Sequence, residues 1–173
     1  LHRIASLHPG RHLQVFTIAG EWVVKGFPLT PESVQADLQT RVGAQASPRV
    51  RPVDVDGATL FVGAAGNELR EFLFTDTEQA YQAADLAMLS RHLLTGPVDM
   101  AFDARRRLLW AALAGGEVAT LAIDRNSNVA AWSRQSFAGP ITALALHAGE
   151  LHLLAERAGR TLLLRLADAL QLD

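Results

Sequence analysis

The chain has 173 residues, enough for one substantial core, since a folded chain of this size buries roughly 70% of its extended surface. Its 16 basic and 18 acidic residues are spread along the sequence and leave a net charge of −2, which argues against a dedicated nucleic-acid surface. The absence of cysteine excludes disulfides and thiolate metal sites, and no apolar run approaches the ~20 residues of a membrane helix, so a soluble chain with no membrane partner is expected.

Self-similarity appears before any motif does. An apolar strand followed across a turn by a second one occurs as HLQVFTIA and GEWVVKG over 12–26. The pattern returns as ATLFVGA and NELREFLF over 58–74, as RLLWAAL and EVATLAID over 107–124, and as ELHLLAE and RTLLLRL over 150–166. The copies begin at His12, Ala58, Arg107 and Glu150, in steps of 46, 49 and 43 residues. A further strand precedes the pair in three copies, as RVRPVDVD, VDMAFD and ITALALH, and NVAAWSRQS supplies the third copy with a fourth strand. Turn chemistry falls between the strands, at Gly57, at Ala64-Ala65-Gly66-Asn67, at Gly115-Gly116 and at Gly149, where glycine relieves the strain of a tight hairpin.

Short strands in evenly spaced groups predict an all-β chain, a β-propeller-like array of about four antiparallel blade units. The approximate units are 1–48, 49–97, 98–140 and 141–173, read as one domain that either closes as a ring or is an open part of a longer chain. The first residue, Leu1 in place of Met, fits the second option. A two-sheet β-sandwich of the same hairpins is the alternative. Two stretches interrupt the repeat and predict short inserted helices. In 27–48, Thr30 is placed to cap a helix beginning at Pro31. In 83–94, Leu86, Leu89, Leu93 and Leu94 recur at helical spacing before Gly96-Pro97.

Several side-chain groups invite a chemical reading. His147 and His152 flank a turn and are placed to face one another, but two imidazoles do not close a metal site. Asp124-Arg125-Asn126-Ser127-Asn128 matches half of a calcium loop and fails in the other half, where Val129 and Gln135 stand, so it reads as a polar turn. Asp76-Thr77-Glu78 reads as a solvated loop rather than half of a glycosidase pair. Arg105-Arg106-Arg107 reads as a solvated hairpin turn, and Trp22, Trp110 and Trp132 as packing residues. The hydrolase, phosphate-loop, metalloprotease and dinucleotide signatures are missing from the sequence. The expectation is a chain that is no enzyme and takes no cofactor or metal.

The ordered segments FTIAGEWVVKG, LTPESVQADLQTRVGA, LFVGAAGNELREFLF, YQAADLAMLSRHLL, VDMAFD, LLWAAL and VAAWSRQ resemble a family of tailed-phage and prophage structural proteins over 16–132. Leu60-Phe61-Val62, Arg70-Glu71, Asp85-Leu86 and His92-Leu93 fit its pattern. Ala80 stands where the family has Gly, and Ser133-Arg134-Gln135 replaces a His-Arg-His-like stretch. The resemblance implies a virion component similar to tail nozzle proteins, assembled in the bacterial host cytoplasm and acting through contacts with other tail proteins and with its own copies in a ring. The segment carrying Tyr81, Asp85, Arg91 and His92 is the candidate assembly surface. The alternative is a host-receptor or carbohydrate-binding propeller module, for which Phe27, Tyr81 and Phe137 are the loop aromatics.

Overall fold

Alternating apolar and polar residues, rich in Val, Leu and Ala and punctuated by Gly, favour hairpins whose edges pair in sequence. A computed structural model, which describes residues 2–76, 79–125, 127 and 129–166, contains fifteen strands and no helix among them. The strands form four antiparallel sheets in which spatial order follows chain order. Sheet 1 holds β1 (Ile4–Pro9), β2 (Leu13–Thr17), β3 (Gly20–Lys25) and β4 (Gln35–Thr40). Sheet 2 holds β5 (Val53–Val55), β6 (Ala58–Val62), β7 (Leu69–Thr75) and β8 (Ala80–Asp85). Sheet 3 holds β9 (Pro97–Asp103), β10 (Leu108–Leu113), β11 (Val118–Asp124) and β12 (Val129–Gln135). Sheet 4 holds β13 (Ile141–His147), β14 (Glu150–Arg157) and β15 (Arg160–Arg165). No described helix is long and apolar enough to cross a membrane.

The all-β expectation holds, and each repeat unit contains one sheet. The inserted helices do not form. At the first, Thr30 does cap a turn: its carbonyl accepts from Val34 N at 2.9 Å and its hydroxyl from Ser33 N at 3.2 Å. The turn then stops, because Gln35 begins pairing with Lys25 on the open edge of β3. One helical turn repays little of its nucleation cost, whereas the edge offers a ready ladder. At the second, Tyr81 to Asp85 pair with β7, and Asp85 ends the strand by accepting from Ala87 N at 3.0 Å. Residues 86–93 continue as turns. Ala87 and Leu94 are buried while Met88 and Leu89 are exposed, so the leucine spacing does not mark one packed face. Both segments hide the fourth strand of their sheet.

The chain divides into two compact units, Leu1–Arg91 and His92–Asp173. In the first, Ala5, Phe16 and Val23 of sheet 1 pack with Phe61, Phe72 and Tyr81 of sheet 2, joined by Ala44 of the connecting segment. The rings interlock: Phe72 stacks on Tyr81 with centroids 4.4 Å apart, and Phe16 lies 4.8 Å from Phe61 and 5.6 Å from Phe72. In the second unit, Ala101, Trp110, Ala112 and Val118 of sheet 3 pack with Ile141, Leu144, Leu151, Leu153 and Ala155 of sheet 4. A carboxylate reinforces this pair of sheets, because Asp99 Oδ2 on β9 accepts from Leu144 N on β13 at 3.0 Å.

Successive sheets are tied by backbone as well as by side chains. Ala44 N donates to Thr17 O at 2.8 Å and Gln45 N to Val62 O at 2.9 Å, so the segment after β4 bridges sheets 1 and 2. Gly43 makes the approach, with φ at 81° and no room for a Cβ, which would collide with the Ile18 carbonyl. Gly43→Ala is expected to lower stability by about 2 kcal/mol or more, from left-handed backbone strain plus that collision. Urea unfolding checks it, with Gly57→Ala as the comparison. Gly57 has a similar φ of 79° but open space around its Cβ position, so the difference between the two variants isolates the collision.

Glu21 is an acid inside this core, fully buried on β3. Burial pushes its carboxyl above the usual range, although the Thr40 hydroxyl and the Val42 and Gly43 N–H groups donate to it, and the nearby Arg70 charge favours its ionised form. In the native state it therefore holds its proton at a pH where the unfolded chain has released it. Wild-type stability falls as pH rises from the ordinary carboxylate range through the raised native value. Glu21→Gln should flatten this slope. Denaturant unfolding from pH 4 to pH 8 is expected to show the variant gaining on wild type as pH rises.

Candidate assembly surface

The predicted surface residues have different fates. Tyr81 is buried under the aromatic cluster, because strand alternation in β8 turns Tyr81 and Ala83 toward Phe72 and Phe74; it is a core residue and presents no accessible face. The Asp85 side chain is also largely buried, and its Oδ2 accepts from Arg91 Nη2 at 2.7 Å. Arg91 further reaches Glu68 Oε1 at 3.0 Å, and Glu68 Oε2 accepts from Arg70 Nη2 at 2.7 Å. These charges tie residues 86–91 back to the β6–β7 hairpin. His92, in the second unit, is exposed, and its carbonyl accepts from Arg134 Nη2 at 2.8 Å.

Around Tyr81 the structure assembles a group that sequence reading leaves apart. The Tyr81 hydroxyl lies 3.3 Å from His12 Nδ1. The Arg11 guanidinium sits 4.4 Å above the Phe74 ring and pairs with Asp76 at 3.2 Å. Burial, then the Lys25 and Arg11 charges, hold His12 below the ordinary imidazole value, which favours the neutral form of its ring. Strand spacing does not advertise it, because Arg11 and Asp76 lie in turns of different sheets.

The imidazoles of His147 and His152 do face one another, with centroids 6.4 Å apart, and no group of three metal-ligating side chains occurs among the described residues. In the calcium-like loop Ser127 Oγ donates to Asp124 Oδ2 at 2.7 Å, while Asn126 and Asn128 lie outside the described residues, as do Thr77 and Glu78 of the acidic group. The basic run does form the β9–β10 turn, but it is only partly solvated: Arg106 is drawn in against the buried Asp103, and Arg107 lies over the Phe102 ring. Trp110 is in the core of the second unit. Phe27 is fully exposed and Phe137 partly buried.

Trp22 leads to a surface that sequence reading missed. Residues directly opposite in an antiparallel sheet share a face, and the register of sheet 1 aligns Leu7, Val15, Trp22 and Leu38 in one row. Leu13, Val24 and Ala36 form the next. This face points away from Phe16 and Val23, and no sheet of the first unit covers it. Leu7 is 54% and Leu13 40% exposed. A groove of about 450 Å³ between Ile4, Val15, Trp22, Val24 and Ala36 runs over it, with His2 and Thr17 completing its lining. Contiguous apolar surface of this kind marks contact sites in folded proteins. Sheet 4 has a smaller counterpart, where Ala143, Leu154 and Leu163 align across its three strands and Leu163 is 69% exposed.

In comparisons with known proteins, the chain matches no family model and no curated protein.

Proposed function

We propose that this chain is a non-enzymatic structural or assembly protein of a phage or prophage tail, acting through protein–protein contacts, with its four sheets serving as blades of a propeller-like array. The observation that carries the reading is the uncovered apolar face of sheet 1. A strand face bearing Leu7, Leu13, Val15, Trp22 and Val24 is costly to leave in water, at roughly 25 cal/mol per Å² of apolar area, and a contacting surface removes that cost. The resemblance over 16–132 supports a virion as the setting, with other tail proteins and further copies of the chain as partners. On this reading the protein is assembled in the bacterial host cytoplasm and resides in the tail, without cofactor, nucleic-acid specificity or membrane.

The test is to raise antibody against the chain and probe phage particles purified from the source after induction. The expected result is co-sedimentation with particles and immunogold label on the tail. Protein present in the lysate but absent from purified particles would overturn the proposal.

A further inference from the structure

The strand pairing of sheet 4 gathers His147, Glu150, His152 and Arg165 on the face turned away from its core. In the β13–β14 register His147 stands opposite Glu150 and Ala145 opposite His152, and β15 sets Arg165 opposite His152. Side chains directly opposite, or two apart on one strand, share a face, so the two imidazoles, the carboxylate and the guanidinium lie together. Leu144, Leu151 and Leu153 point the other way, into the core of the second unit. His147 is exposed and His152 half-buried, so solvent reaches both rings.

The His152 ring is already oriented. Its Nδ1 lies 3.2 Å from the Glu150 carbonyl oxygen. A carbonyl oxygen only accepts, so Nδ1 donates and the lone pair of this imidazole sits on Nε2. Metal-binding histidines are commonly held by a backbone carbonyl in this way. His147 brings the second ring, its centroid 6.4 Å from that of His152. Two imidazoles sharing one ion, at about 2 Å from each nitrogen, hold their centroids roughly 4.5–5 Å apart. Turning the exposed His147 ring about its broad terminal torsion closes that difference.

From this geometry we infer that His147 and His152 form an open, two-imidazole site for a divalent late transition metal ion, with Cu²⁺ held most tightly. Imidazole nitrogen suits copper, nickel and zinc, and affinity along the first-row series peaks at Cu²⁺. Two adjacent corners of a tetragonal Cu²⁺ ion fit the pair, with water at the others. Zn²⁺ sites take at least three protein ligands, more than the two rings supply. Glu150 places negative charge beside the ion, but Arg165 Nη1 engages its Oε1 at 3.2 Å. That guanidinium, opposite His152, works against a cation. The site lies outside the assembly reading, which needs no ion, so the particle-labelling result and the metal result stand or fall separately.

Isothermal titration of Cu²⁺ into the chain near neutral pH, in a non-coordinating buffer, tests the inference alongside electron paramagnetic resonance of the copper-loaded protein. The expected result is a one-to-one binding event whose spectrum carries nitrogen splitting from two imidazoles. His147→Ala and His152→Ala should each weaken it by about tenfold or more, because a single ring no longer chelates. The double variant should lose it, and Arg165→Gln should tighten it. His2, His8, His12 and His92 remain in every variant, so copper they take persists in the double variant and is subtracted. Near-UV circular dichroism verifies folding, and His152→Gln replaces His152→Ala if the latter unfolds. Copper binding equally to wild type and double variant, a wild-type spectrum with a single nitrogen, or no binding at all would each overturn the inference.

Discussion

Phe72→Ala is expected to lower stability by about 3–5 kcal/mol, the range for deleting a large buried aromatic from a core that relaxes only partly. Phe72 is fully buried and touches the other rings in two ways, stacked on Tyr81 with an interplanar angle of 10° and edge-on to Phe16 and Phe61 at 68° and 84°. Its removal leaves a void between sheets 1 and 2 and forfeits ring contacts from both. Ring pairs add about 0.5–1.5 kcal/mol each beyond the area they bury, which places Phe72 toward the upper part of the range. Urea unfolding followed by circular dichroism gives the value. The control is Phe27→Ala, at a side chain 100% exposed, which should move the midpoint by less than about 0.5 kcal/mol. Equal effects from the two variants would mean that the sheet 1 and sheet 2 faces are not packed through this cluster.

Asp103→Asn is the second large effect, with an expected loss of about 3 kcal/mol at pH 7. The Asp103 side chain has no exposure, and it accepts from Arg105 N at 3.0 Å, from Arg106 N at 3.1 Å and from the Arg106 guanidinium. Removing its charge takes from a guanidinium only 20% exposed the fully buried carboxylate it pairs with, and breaking such a pair from one side is costly. Burial alone raises this carboxyl, but the Arg106 side chain and the Arg105 and Arg106 N–H groups outweigh it, and the net value lies below the ordinary carboxylate range. A carboxyl depressed in the folded state stabilises fully above its unfolded value, and that contribution fades as pH falls through the native one. The gap between wild type and variant should therefore be widest near neutral pH and close below about pH 4. A gap independent of pH would locate the effect in lost hydrogen-bond geometry instead of charge. Glu21 slopes the opposite way, so the two buried acids bracket stability from opposite sides of the pH range.

The repeat was legible because its signal is local. Each hairpin needs only alternation and a turn, and copies beginning at His12, Ala58, Arg107 and Glu150 sit in four separate sheets. The fourth strands β4 and β8 were not legible, because an outer strand is defined by the edge it pairs with. Gln35 to Thr40 carries little β propensity of its own, and pairing with Lys25 to Glu21 decides its conformation. Leu86 to Leu94 misled for the complementary reason: helical spacing describes a face only if the backbone is helical, and the Asp85 cap diverts the chain into turns.

The assembly surface was misread through Tyr81, an aromatic beside polar neighbours whose strand alternation turns it inward. The apolar rows of sheet 1 were invisible for a related reason. WVV in β3 is apolar on both faces, which is how a strand covered on both sides reads; sequence gives the hydrophobicity of Trp22 and Val24 but not the missing cover. His147 and His152 come together as diagonal neighbours on one face of the β13–β14 hairpin, because its two-residue turn sets His147 opposite Glu150 and His152 opposite Ala145.

The agreement between strand order and chain order has a consequence for synthesis on the ribosome. Sheet 1 has all its strands once Thr40 has emerged, yet the partners of Phe16 arrive only with Phe61, Phe72 and Tyr81. Through that interval the nascent first sheet is apolar on both faces, with the sheet 2 residues that pack on Phe16 still to be made.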